Sequence, residues 1–214
     1  ANGMGRRALK SWLRYGYIPL EDSVKEAFHT QEQVSRTLEY AYDDYCVAQV
    51  AKALNQKKDY ETLMRRSRNW MNVLNPRTGW ADGRHANGRW LMNRDLTSRL
   101  PFITEGAVMH YSFYVPHDIS GLIGAMGGRQ AFIQKLDTLF GFHRDGRRDS
   151  VCYYWHGNEP CHHIAYLYAL AGEPWKTQRV VSDILRTEYR NVPGGLSGND
   201  DAGQMSAWQV FSML

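Results

Sequence analysis

Acidic side chains stand beside glycines in two segments of the sequence that lack helical periodicity. Glu105 directly precedes a glycine, and Asp200 and Asp201 lie in the segment 198–203, which a glycine opens and closes. A neighbouring glycine lets the backbone approach a ligand closely. Two acids from separate loops can flank a bond, one as general acid and the other as general base. An aspartate before a helix is also a common N-cap, so both interpretations stay open for Asp200.

The segment 156–163, with the sequence HGNEPCHH, is the densest group of polar side chains in the chain. Its possible metal or sugar ligands are Asn158, Glu159, His162 and His163. Zinc prefers nitrogen and sulfur ligands, but the two adjacent histidines would point to different sides of a helix, and the sequence has no CxxC or HExxH spacing. The amide and carboxylate together with the distant Asp201 form an oxygen-rich set that suits calcium. A polar turn that caps the helix after Pro160 is the third interpretation.

Aromatic residues are abundant, with 7 Trp, 13 Tyr and 7 Phe in 214 residues. Trp90 and Trp175 belong to the tryptophans that fall in or beside polar loops. Such side chains suit the apolar faces of sugar rings, although buried packing is their commoner fate. Composition alone does not choose the ligand.

Charge and hydropathy exclude several classes of protein. Hydrophobic residues make up 43% and charged residues 22% of the chain, which is typical of a folded domain. The net charge is +4, but the basic residues are scattered, so no nucleic-acid partner is predicted. No apolar stretch is long enough for a helical membrane span. Three cysteines without framework spacing argue against a disulfide scaffold.

Helical periodicity extends over almost the whole chain and predicts an all-α fold. Apolar residues recur every three or four positions in 34–51, and similar patterns follow in 63–74 and 132–140. Gly127 and Gly128 are expected to precede the helix that covers 132–140. Pro160 is expected to open a helix that ends at Gly172, Pro174 to open the next, and a last helix is expected after residue 201. The alternation in 111–115 could form a brief strand. Helical hairpins with polar loops at one end indicate a toroid or solenoid. The longest of these loops covers residues 75 to about 99.

Seven segments resemble the catalytic domain of glycoside hydrolase family 92, the calcium-dependent exo-acting α-mannosidases, and they occur in the family's order. The matching segments are TLEYAYDD at 37–44, YVPHD at 114–118, HGNEP at 156–160, HHIAY at 162–166, PWKTQ at 174–178, GNDD at 198–201 and GQMSAW at 203–208. The resemblance implies that residues 1–214 are a fragment of an (α/α)₆ toroid. The rest of the toroid and an N-terminal β-sandwich would then be absent.

The resemblance also assigns roles to individual residues. Glu105 matches the general acid and Asp201 the general base of an inverting mechanism. The calcium ligands are expected among Asn158, Glu159, Asn199 and Asp201, and the sugar contacts among Asn158, Glu159, His162, His163, Trp90 and Trp175. Position 199 holds an amide where related sequences often hold a carboxylate, and the residues after Gly106 depart from the family's Glu-Gly-Asn pattern.

The expected substrate is terminal α-linked mannose on an oligosaccharide or glycoprotein glycan, and the resemblance implies a secreted or periplasmic protein. Two alternatives stay open. One is a helical module that binds carbohydrate without catalysis, and the other is a toroidal glycosidase for a different sugar.

Overall fold

The computed structural model describes residues 6–23, 30–149 and 152–214. The chain forms two compact units, an N-terminal unit (Ala1–Asp118) and a C-terminal unit (Ile119–Leu214). The described residues are mainly helical, and their one sheet consists of two very short strands. None of the helices in the described ranges has the length and apolar character that crossing a membrane would require.

The described part of the N-terminal unit is mainly helical and includes the two short strands. Its elements are α1 (Leu9–Tyr15), α2 (Gln33–Ala53), α3 (Lys57–Arg66), a 3₁₀ helix (Ser67–Val73), β1 (Leu74–Asn75), β2 (Trp80–Ala81) and α4 (Val108–Tyr111). The periodicity predicted for α2 is confirmed, because Val34, Leu38 and Ala48 are buried along it. The helical segment after α3 tightens into the 3₁₀ helix and stops before Pro76, as the sequence predicts.

The long loop at residues 75–99 is organised around a buried carboxylate. The side chain of Asp82 accepts hydrogen bonds from Asn75 Nδ2 at 3.0 Å, from the Met92 N–H at 3.1 Å and from the Asn93 N–H at 3.3 Å. These donors lie up to 18 residues apart in sequence, so one side chain connects the start of the loop to residues 92 and 93. The possible strand at 111–115 does not form: Tyr111 ends α4, and the Tyr114 N–H donates to the Tyr111 carbonyl in a turn.

The C-terminal unit carries the remaining helices. Its elements are α5 (Ile119–Ala125), α6 (Arg129–Phe140), two short 3₁₀ helices (Glu159–Cys161 and Ile164–Tyr166), α7 (Leu167–Leu170), α8 (Pro174–Thr187) and α9 (Gln204–Met213). The predicted starts of α6 after Gly128 and of α8 at Pro174 are confirmed. The cysteines are unpaired, with Cys46 exposed and Cys161 buried.

The prediction of a single helix from Pro160 to Gly172 is wrong, since two 3₁₀ helices and α7 occupy this range. Side chains from α8 and α9 take the place of some of the backbone hydrogen bonds that one helix would have. The His162 carbonyl accepts from Trp208 Nε1 at 3.0 Å, while the Tyr166 N–H donates to His163 instead. Further along, the Thr177 hydroxyl accepts from the Ala169 N–H at 3.0 Å and donates to the Ala165 carbonyl at 3.1 Å. A group inserted between residues i and i−4 interrupts an α-helix.

Glu39 on α2 is a carboxyl group held in a largely apolar setting. Burial raises its pKa to about 7, although the Tyr114 hydroxyl donates a hydrogen bond that acts in the opposite direction. The neighbouring Asp43 raises the pKa further by charge repulsion. Between its ordinary value and this raised pKa, the folded chain therefore keeps a proton that the unfolded chain releases.

We expect Glu39→Gln to remove part of the pH dependence of stability. The wild-type free energy of unfolding should fall as the pH rises from about 4.5 to about 7, by about 1–2 kcal/mol after allowance for partial solvent access. The amide still accepts from Tyr114 and cannot ionise, so the variant should match the wild type near pH 4.5 and exceed it by that amount at pH 8. Urea unfolding at both pH values measures this. Equal stability at pH 8 would contradict it.

Candidate functional site

The two polar loops of the C-terminal unit meet backbone to backbone at a pair of glycines. A Cβ atom placed on Gly198 would lie 2.3 Å from the Gly157 carbonyl oxygen and 2.5 Å from the Gly157 Cα. Real Cβ atoms do not come this close to backbone, so glycine is required for the contact. The approach brings the loop that carries Asn158 and Glu159 beside the loop that carries Asp201. The structure thus unites two of the segments that the sequence singled out.

The first of these loops presents an unsatisfied carboxylate oxygen. Asn158 is buried and its carbonyl accepts from the Cys161 N–H at 3.0 Å, which closes the 3₁₀ turn that Glu159 begins. Oε1 of Glu159 is buried and has no hydrogen-bond partner within the described part of the chain. A buried oxygen left in this state is costly unless a donor or a cation reaches it.

The second loop separates the roles of its two adjacent aspartates. The Asp200 carboxylate accepts from the N–H and the hydroxyl of Ser206, each at 2.8 Å, and these bonds lower the pKa of Asp200. The carboxylate thus satisfies a first-turn N–H of α9, although Gly203 and not Asp200 holds the N-cap position. The Asp201 side chain is exposed and makes no hydrogen bond to any described residue. Asn199, the other predicted ligand in this loop, is also exposed.

Both predicted catalytic acids have left-handed backbone conformations. The φ angle is +49° at Glu105 and +30° at Asp201, and two further left-handed residues, Ala202 and Gly203, follow the aspartate. Non-glycine residues in this region cost about 1–3 kcal/mol each and are concentrated at functional sites. Glu105 is exposed in the N-terminal unit, directly before the turn that leads into α4. The convergence of Glu105 with Asp201 stays a prediction.

His162 is tied into the protein by hydrogen bonds at its ring and at its carbonyl. Its Nε2 donates to the His156 carbonyl at 2.9 Å, and its Nδ1 is buried without a partner among the described residues. Burial lowers the pKa of His162. The imidazole is therefore neutral, with a lone pair on Nδ1 that can accept from a ligand hydroxyl. His163 is half-buried and its carbonyl closes the following 3₁₀ turn.

The two tryptophans predicted to stack on sugars differ in their surroundings. The Arg84 guanidinium lies 4.9 Å from the Trp90 ring centroid and 5.0 Å from that of Tyr17, so a cation occupies one face of Trp90. Trp175 at the start of α8 is 48% exposed, and its indole N–H donates to Glu173 at 2.7 Å. Trp175 is the more exposed of the two, although Lys176 Nζ lies 5.5 Å from its ring centroid and Phe142 packs edge-on against it at 6.0 Å.

The oxygen-rich character of the two loops bears on the metal predicted for them. Within the described ranges, no three His, Cys, Asp or Glu side chains gather as a metal-binding cluster. The loops instead combine the amides of Asn158 and Asn199 with the carboxylates of Glu159 and Asp201. Calcium accepts this mixture of amide, carboxylate and backbone oxygens, and the unsatisfied Glu159 Oε1 fits such a cation.

Comparison with known proteins gives the family. The model of the glycosyl hydrolase family 92 catalytic domain matches residues 1–214. The chain belongs to glycosyl hydrolase family 92. An uncharacterized secreted glycosidase from Arthroderma benhamiae is 34% identical to this family 92 chain over 234 residues, which cover 98% of the chain and 29% of that protein.

Solved family 92 structures share its fold. A GH92 α-mannosidase from Bacteroides thetaiotaomicron is 43% identical, with a TM-score of 0.83 over 95% of this chain and 26% of that one. A GH92 inverting mannosidase from the same organism is 31% identical, with a TM-score of 0.82 over 97% of this chain and 29% of that one. The family 92 chain therefore spans less than a third of the length of each of these relatives.

Sequence reasoning missed three residues that join the two loops: His156, Tyr189 and Trp208. Their side chains hydrogen-bond to the segments on either side of the glycine contact. His156 and Trp208 stand inside segments that the sequence had singled out, but nothing in the spacing indicated that they meet. Tyr189 carries no local signal, because its partners lie 33 and 16 residues away.

Proposed function

We propose that the protein is a glycoside hydrolase that removes terminal α-linked mannose from glycans with inversion of configuration. The observation that carries the proposal is its 43% identity, over nearly its full length, to a GH92 protein named an α-mannosidase. The glycosidase class follows from the family, whereas mannose as the sugar and inversion as the outcome rest on the names of solved relatives.

In this proposal, Glu105 protonates the departing glycosidic oxygen and Asp201 removes a proton from the attacking water. An inverting enzyme holds these two groups about 6.5–9.5 Å apart, so that water fits between the base and the sugar. The exposure of both carboxylates and the hydrogen bonds that engage Asp200 elsewhere support the choice of Asp201 as the base.

Asn158, Glu159, Asn199 and Asp201 are the residues that would hold Ca²⁺. When bound, the ion supplies a positive charge that grips sugar hydroxyls and favours the distorted ring. The neutral His162 would accept a hydrogen bond at Nδ1 from a sugar hydroxyl. Trp175, with Trp90 where its ring stays open, offers an aromatic face to the sugar. His163 is proposed to line the same subsite.

The experiment is an assay of the complete protein on α-mannosides and α-glucosides, with and without a chelator. We expect release of free mannose, loss of at least about tenfold in rate with EDTA and recovery with added Ca²⁺. Binding of mannosides without any product would favour the non-catalytic module. Preference for glucosides would favour a toroidal glycosidase for another sugar.

Two wider features of the proposal rest on the family. The described helices are proposed to be part of an (α/α)₆ toroid that follows a β-sandwich. A place outside the cytoplasm, in the periplasm or the medium, is proposed because the matched Arthroderma protein is named as secreted. Its substrate would then be an oligosaccharide or a glycoprotein glycan.

A further inference from the structure

Four buried aromatic side chains of the C-terminal unit form a cluster that includes residues of the first polar loop. We call this cluster, His156, His162, Tyr189 and Trp208, the loop clamp. The rings of His156 and His162 stack with centroids 4.6 Å apart, and the ring of Trp208 meets His156 edge-on at 4.4 Å. Tyr189 lies parallel to Trp208 at 6.0 Å. All four are at least nine-tenths buried, so their polar atoms depend on one another for partners.

The hydrogen bonds of the loop clamp have one consistent direction. The Tyr189 hydroxyl donates its proton to the Met205 carbonyl at 3.0 Å, so it must accept at 2.7 Å from Nε2–H of His156. The other ring nitrogen of His156, Nδ1, lies 2.8 Å from the Tyr154 hydroxyl.

These bonds connect the first polar loop to the helix that follows the second. His156 directly precedes Gly157 and the proposed ligands Asn158 and Glu159, while Met205, in the first turn of α9, stands four residues after Asp201. A second bond makes the same connection, since Trp208 Nε1 on α9 donates to the carbonyl of His162. The first loop is thus attached to α9 as well as to the second loop at the glycine contact.

We propose that Tyr189 is a positioning residue, whose hydroxyl fixes the spacing between the Asn158–Glu159 turn and the Asp201 loop by bridging His156 to Met205. The inference rests on the proposed function, because the spacing matters only if the two loops share calcium and substrate. Tyr189 touches neither. Groups that orient metal ligands in this way commonly change metal affinity about 10–100-fold when they are removed.

The test compares Tyr189→Phe with Tyr168→Phe in the complete protein. The first variant keeps the stacked ring and deletes the bridging hydroxyl. The second deletes the hydroxyl of another buried tyrosine in the same unit, which donates to Asp137 at 2.9 Å and has no bond to residues 156–163 or 198–203. We expect calcium titration to give an affinity about 10–100-fold weaker for Tyr189→Phe and within about twofold of wild type for Tyr168→Phe.

Amide hydrogen exchange without metal provides the second readout. Tyr189→Phe should accelerate exchange in 157–161 and 198–204, and Tyr168→Phe should leave both segments unchanged. If Tyr189→Phe does not fold, Trp208→Phe removes the other side-chain donor and should have the same two effects. Unchanged exchange together with unchanged affinity in the clamp variant would overturn the inference.

Failure of the proposed calcium site is distinguishable from failure of the clamp. Wild-type protein that binds no calcium would remove the calcium site from the proposed function, and exchange would then decide the clamp by itself. Equal losses of calcium affinity in Tyr189→Phe and Tyr168→Phe would show that both variants act through general stability. That result would also overturn the inference.

Discussion

Replacement of Glu105 by glutamine is expected to lower kcat on an unactivated mannoside by about 10²–10⁴-fold. An amide cannot protonate the leaving oxygen, so the loss should depend on how much protonation the substrate needs. A dinitrophenyl group departs as a stable phenolate anion without protonation. The kcat on a mannoside that carries this group should therefore fall far less. The measurement is kcat for both substrates in the complete protein.

Two further variants make this prediction specific. Asp201→Asn should lose activity by about the same 10²–10⁴-fold range on both substrates, because activation of water does not depend on the leaving group. Glu61→Gln changes an exposed acid in the same unit as Glu105. Among the described residues its ion-pair partner is Lys57 on its own helix, and the variant should leave kcat unchanged. Equal losses for Glu105→Gln on the two substrates would show that Glu105 is not the general acid.

Gly198→Ala is expected to damage the contact between the two polar loops. The added Cβ would meet the Gly157 carbonyl at 2.3 Å, and both partners are backbone, so no side-chain rotation relieves the clash. Overpacking of this kind costs about 1–3 kcal/mol. The loops must separate, and we therefore expect calcium affinity and hydrolysis to fall by more than the loss of stability explains.

Gly194→Ala is the matched control for the glycine contact. Apart from its chain neighbours, no atom of the described residues lies within 4 Å of the position its Cβ would take, and its φ is outside the left-handed region. Stability should rise slightly or stay the same, within about 1 kcal/mol, because alanine restricts the unfolded chain. Urea unfolding and calcium titration of both variants are the measurements. A Gly198→Ala protein with wild-type affinity for calcium would show that the loops do not need this contact.

The sequence predicts the regular helices and fails where distant side chains compete with the backbone. The apolar spacing in α2 and the helix starts marked by Gly128 and Pro174 are local signals, and the observed helices agree with them. The break after Pro160 depends on Trp208 and Thr177, which are far away in sequence. The local pattern of one sequence does not indicate which distant residues become hydrogen-bond partners.

The candidate site divides in the same way. Residue types and the family resemblance identified Asn158, Glu159 and Asp201, and the resemblance chose Asp201 over Asp200. The structure adds what adjacency alone could not, since Asp200 is engaged by Ser206 while Asp201 is not. The approach of Gly157 to Gly198 was not predictable, because either glycine could equally have served a turn.

Partners from elsewhere in the chain interrupt the helical backbone between Pro160 and Gly172. Thr177 and Trp208 supply hydrogen bonds to this stretch, so an isolated peptide of these residues lacks bonds that define its shape. We therefore expect the stretch to unfold together with α8 and α9 rather than independently of them.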